Sequence, residues 1–101
     1  MNGETLQHTL RVSNPDGLHM RPATAFAEMA KRFQSDVRVL KDGKEHDGKS
    51  PLDMMLLAAG EGTELTLRVA GPDAPEALRK LVELLVSLSV VETNSEKEGS
   101  H

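Results

Sequence analysis

The chain has no cysteine, no tryptophan and no tyrosine, and only two phenylalanines among its 101 residues. Without cysteine there is no disulfide framework and no thiol chemistry. With so few aromatic rings the core must be aliphatic, and the platforms on which RNA bases stack are missing from the strands. The four histidines are scattered without ligand spacing, so neither a metal nor another cofactor is implied. The longest mostly apolar stretch, Leu81 to Val91, is interrupted by Glu83, Ser87 and Ser89 and is too short to span a membrane. Residues 1–5 carry no basic region and no apolar run, so no secretory signal is read and a soluble cytoplasmic protein is expected. Basic charge is also scarce. Twelve Lys and Arg against sixteen Asp and Glu give a net charge of −4, which argues against nucleic acid as the main partner. Residues 1–50 hold eight basic and seven acidic side chains and residues 51–101 hold four and nine, so the first half suits an anionic visitor better.

What is present reads as one small domain, residues 1–91, followed by a polar tail, residues 92–101, expected to be disordered. Thr5 to Val12 alternates as a half-buried strand does, with Leu6, Leu10 and Val12 on one side. His8 shares that parity and is expected near solvent on an edge strand. Asn14-Pro15-Asp16-Gly17 is a turn. Ser35 to Lys41 predicts a second strand, Asp42-Gly43 a two-residue hairpin, and Lys44 to Asp47 a short third strand. Ser50-Pro51 opens a short helix, with Leu52, Met55, Leu56 and Ala59 as its stripe and Leu56 expected in the core. Leu52 and Met55 are divided between core and surface. Thr63 to Ala70 is the clearest strand, and Asp73 with Glu76 forms an acidic variant of a capping box before a third helix. That helix buries Ala77, Leu78, Leu81, Val82, Leu85 and Leu88. The order β-α-β-β-α-β-α with alternating strands predicts an α+β domain, an antiparallel sheet with helices on one face.

The stretch Gly17-Leu18-His19-Met20-Arg21-Pro22-Ala23-Thr24 carries the chemistry. Ala23, Phe26, Ala30 and Phe33 follow at helical spacing. Pro22 has no backbone N–H, so it belongs in the first turn, where donors lack partners within the helix. Met20 and Arg21 are then opening residues, and His19 falls at or beside the cap. The free amides of Met20 and Arg21, the positive end of the helix and the Arg21 guanidinium would together stabilise an anion on that imidazole. A neutral imidazole is a nucleophile, and its ordinary pKa near ~6.5 leaves much of it neutral at cytoplasmic pH. The pattern suits phosphate on histidine.

These residues, GLHMRPATAF followed by GKSPLDMMLLAAGEGTELTLRVAGPDAPEAL, resemble the HPr family of histidine-containing phosphocarriers in the bacterial phosphoenolpyruvate-dependent phosphotransferase system. The resemblance runs from about Leu6 to Leu88. It implies an open-faced β-sandwich, a four-stranded antiparallel sheet with three helices on one face. It implies His19 as the phosphoryl acceptor, modified at its pros nitrogen, with Arg21 stabilising the charge. It implies enzyme I as donor, enzyme IIA components as acceptors, and Ser50 as a regulatory serine read by a kinase or phosphorylase. Met20, Lys49, Leu52 and Met55 would meet those partners, and the chain would be a monomeric carrier without a cofactor rather than an enzyme. A carrier of the nitrogen-related branch fits the same residues. A ferredoxin-like RNA binder shares the element order, but aromatic-free strands and acidic charge speak against it.

Overall fold

The computed structural model describes residues 4–17, 20–57, 59–88 and 90–93. Leu18, His19 and the tail beyond Thr93 lie outside the described residues. The elements are β1 (Glu4–Val12), α1 (Met20–Ala30), β2 (Asp36–Lys41), β3 (Lys44–Asp47), α2 (Pro51–Leu56), β4 (Glu64–Gly71), α3 (Ala74–Ser87) and β5 (Val91–Thr93). The expected four-stranded antiparallel sheet with three helices is present, in the order β3-β2-β4-β1, and the three-residue β5 adds a further strand beside β1. Alternation decides which face is covered. Leu10 and Val12, Val37 and Val39, and Leu65, Leu67 and Val69 all point to one side, where they are buried with Phe26, Met54, Leu81 and Leu85.

Several sequence expectations change. In α2 the buried side chains are Met54 (1% exposed), with Leu57 (2%) just beyond the helix, whereas Leu56 is 65% exposed. Five apolar residues among Leu52–Leu57 surround this single short helix, so periodicity could not select the inner face. The helix also ends at Leu56 and does not reach Ala59. Leu88 closes α3 but stands exposed.

Asp73 is not a side-chain cap. Its carboxylate instead accepts from the main-chain N–H of Gln34 (2.9 Å) and Ser35 (2.9 Å) and from the Ser35 hydroxyl (2.5 Å). Ser35 is buried, and its oxygen accepts the Asp73 N–H in return (3.2 Å), so the turn after α1 is clasped to the turn before α3. The Ser35 hydroxyl, followed by the Gln34 amide, lowers the Asp73 pKa from its ordinary value. A depressed folded-state pKa gives stability that is complete above the unfolded value of about 4 and is lost as pH falls through the lower folded value. The stability gap between the wild type and Asp73→Asn should therefore be full at neutral pH and close progressively below about pH 4. Urea midpoints measured across that range would test this, and a gap independent of pH would refute it.

His8 is also placed differently. It faces Leu67 on β4, on the side that α3 covers, and is half-buried. Its Nε2 is buried and has no hydrogen-bond partner among the described residues. Such an atom costs its lost hydration, so His8→Leu should stabilise the fold by about 1 kcal/mol. The expected readout is a higher urea midpoint at unchanged slope; a lower midpoint would show that the ring is satisfied.

Candidate functional site

The loop leading to His19 is pinned on two sides. Gly17 N–H donates to Asn14 O (2.8 Å) and Asp16 N–H to the Asn14 side chain (3.1 Å), closing the turn that Asn14-Pro15-Asp16-Gly17 predicts. Val90 O accepts from Ser13 N–H (2.8 Å) and Asn14 N–H (3.3 Å). On the other side Gly17 adopts φ +69° against the main chain of Ala59 and Gly60, and an added Cβ would strike Ala59 O.

Helix α1 then starts at Met20 with Pro22 in its first turn, as expected. Pro22 and Ala23 are buried and anchor this end, while Met20 (67% exposed) and Arg21 face outward. No acidic residue stands in the first turn of α1, so no carboxylate of its own offsets the positive helix end. Among the described residues Arg21 makes no salt bridge. It lines a cleft of about 140 Å³ with Asn14, Pro22, Leu88 and Val90. On its other flank lies a broad, shallow hollow of about 630 Å³ formed by Met20, Arg21, Thr24 and Ala25.

Helices α1 and α2 pack against each other, and two contacts give their sense. Lys49, just before α2, donates its ammonium to Phe33 O beyond the end of α1 (2.9 Å), while Gly17, before α1, meets Ala59 and Gly60 beyond α2. The helices are therefore antiparallel, and the end of α2 bearing Leu56 lies beside the start of α1. Ser50 stands at the far end, where it caps α2 by accepting from Asp53 N–H (3.1 Å). Lys49 is committed to a carbonyl there rather than reaching into solvent. Leu52 (63% exposed) faces outward, and Met55 is half-buried against the core.

Sequence reasoning missed Leu56, Asn14, Leu88 and Val90. Leu56 carried the apolar signal but was assigned inward. The other three reach this neighbourhood through sheet pairing and the ending of α3, which no local pattern reveals.

The described residues form a small open-faced sandwich with an exposed arginine at a helix start beside exposed apolar side chains. The family model described as "PTS HPr component phosphorylation site" matches residues 6–87. The chain is 46% identical over 76 residues to the HPr-like protein Crh of Bacillus subtilis, covering 75% of this chain and 89% of that protein. It is 38% identical over 80 residues to the phosphocarrier protein HPr of Neisseria meningitidis, covering 79% and 90%. Among solved structures, the histidine-containing phosphocarrier protein of Mycoplasma superposes with a TM-score of 0.84 at 26% identity, covering 86% of this chain and 99% of that one. An HPr from Thermoanaerobacter tengcongensis gives 0.76 at 36% identity, covering 81% and 92%. The chain belongs to the HPr family of phosphotransferase-system phosphocarriers, whose members carry a phosphoryl group and are not catalysts in their own right. Among the described residues no helix is long and apolar enough to cross a membrane.

Proposed function

We propose that His19 accepts a phosphoryl group from phosphorylated enzyme I and passes it to enzyme IIA components in the cytoplasm, the chain acting as a monomer. The observation that carries this reading is Arg21. Its guanidinium is exposed, unpaired among the described residues, and two positions beyond His19 at the start of α1. The pros nitrogen of His19 attacks phosphorus, the bond to the donor breaks, and the arginine and opening amides of Met20 and Arg21 offset the charge of the transferring group. Each contribution is modest at an exposed helix end, roughly 0.3–1 kcal/mol for the dipole, which suits a group that must leave again.

Incubation with phosphoenolpyruvate and a bacterial enzyme I should place acid-labile phosphate on the chain, and passage to an enzyme IIA component should remove it. A chain that stays unlabelled would refute the reading.

Partner contact is assigned to Met20, Leu52, Met55 and, from its exposure beside the start of α1, Leu56. Apolar, adaptable side chains around a charged centre suit a surface that meets more than one protein. Leu56→Asp should leave thermal stability unchanged, because the side chain is largely outside the core, and raise the KM of enzyme I for this carrier about tenfold. An unchanged KM would remove Leu56 from the docking surface. Ser50 is assigned a regulatory role as a kinase or phosphorylase target, with its cap position keeping the hydroxyl at the mouth of α2.

A further inference from the structure

We propose that Val90 and strand β5 form a strap that holds the phosphoryl-accepting loop in place, a role that rests on the relay reading above. Val90 links three parts of the molecule. Its N–H donates to Leu85 O (3.0 Å) and finishes α3. Its carbonyl takes both loop donors, Ser13 and Asn14. Val90 is 1% exposed and lines, with Leu88, the cleft that Asn14, Arg21 and Pro22 also line.

The strap is continuous with the sheet. β5 pairs Val91 with Val12, Glu92 with Arg11 and Thr93 with Leu10, and the Ser13–Val90 hydrogen bond extends the same register by one residue. On the opposite side of β1, Val12 N–H donates to Thr63 O (2.9 Å) and Gly62 N–H to Val12 O (2.7 Å). The last residues of β1 are thus held between two neighbours as the chain turns toward His19. Removing one neighbour frees two main-chain donors and lets the loop swing about the other. Transfer between proteins is sensitive to such placement, since a displacement of about 1 Å can cost on the order of 100-fold in rate.

The Ser13 N–H to Val90 O bond fixes the ladder's alternation and makes Arg11–Glu92, two residues along, the position where both N–H groups face the partner strand. Glu92→Pro removes one donor of that pair while leaving the buried Val90 and Val91 in place. Glu92→Thr keeps the donor and serves as the rescue. A chain ended at Ser89 removes the strap outright, and the proline variant carries the test should that chain fail to fold.

Amide exchange and transfer from enzyme I would be measured on the full chain and each variant. In Glu92→Pro, Ser13 and Asn14 should exchange at least about tenfold faster while Val37 and Val69 stay protected. Turnover at saturating carrier should fall about tenfold with KM little changed, and Glu92→Thr should match the wild type. Unaltered turnover in Glu92→Pro, or unaltered exchange at Ser13 and Asn14, overturns the strap while the relay stands. A full-length chain that takes no phosphoryl group sinks the relay and this role together.

Discussion

In His19→Ala, acid-labile phosphate delivered by enzyme I should fall to background while the thermal midpoint stays near that of the wild type. The core of α1 is anchored by Pro22, Ala23, Phe26, Ala27 and Ala30, all buried and all beyond the replaced residue, so the helix has no need of the imidazole to fold. Neither described histidine can substitute, because His8 is half-buried with its Nε2 covered and His46 lies on β3 opposite Val39, across the sheet from β1. The companion change Arg21→Ala separates the nucleophile from its electrostatic support. It should retain labelling but slow it by about 10–100-fold, less than the loss of a donor in a closed oxyanion site because this guanidinium stands in water. Rapid-quench measurement of label on both variants decides the matter. Persistent label in His19→Ala would move the acceptor elsewhere, and equal rates for Arg21→Ala and wild type would remove the arginine from the chemistry.

Gly17→Ala should be the most destabilising single-methyl change near the site. An alanine at φ +69° costs about 1–2 kcal/mol in the left-handed region, and its Cβ would meet Ala59 O and approach Gly60 Cα at 3.0 Å, both main-chain atoms that cannot rotate aside. Overpacking of that kind adds about 1–3 kcal/mol. A total of about 2–5 kcal/mol is a large part of the 5–15 kcal/mol that holds a typical domain, and should lower the melting temperature by about 8–40 °C. Gly43→Ala provides the contrast. Gly43 has φ +81° in the β2–β3 hairpin, but a methyl added there would meet nothing within 4 Å, so only the conformational cost applies. Calorimetry showing equal losses for the two variants would mean that the contact between Gly17 and the end of α2 gives way easily.

Which parts of this molecule could be read from its residues follows from where the deciding forces act. Leu65, Leu67 and Val69 alternate over a strand bounded by glycine, and Pro22 marks the opening turn of α1, so both features are local and both are legible. The placement of Arg21 at the start of α1 is legible for the same reason, because proline, helix start and cation fall within a few residues. Helix α2 offers apolar side chains in nearly every direction, and only its antiparallel packing against α1 decides that Met54 turns inward and Leu56 outward. Asp73 satisfies the local pattern of a cap, yet Ser35, thirty-eight positions away, offers it better partners. β5 is three residues long and exists through pairing with β1. Nothing in Val91-Glu92-Thr93 announces it.

The opposed directions of α1 and α2 also bear on how two phosphates would communicate in one small protein. Ser50 stands at the far end of a six-residue helix from the start of α1, a span of about 9 Å along the axis. Salt at physiological strength damps charge interactions over about 8 Å, so the charge of a phosphoserine there would be felt at the start of α1 only in weakened form. Its influence would instead fall on whichever protein lays its footprint along the whole helix, making the serine a gatekeeper of company rather than of chemistry.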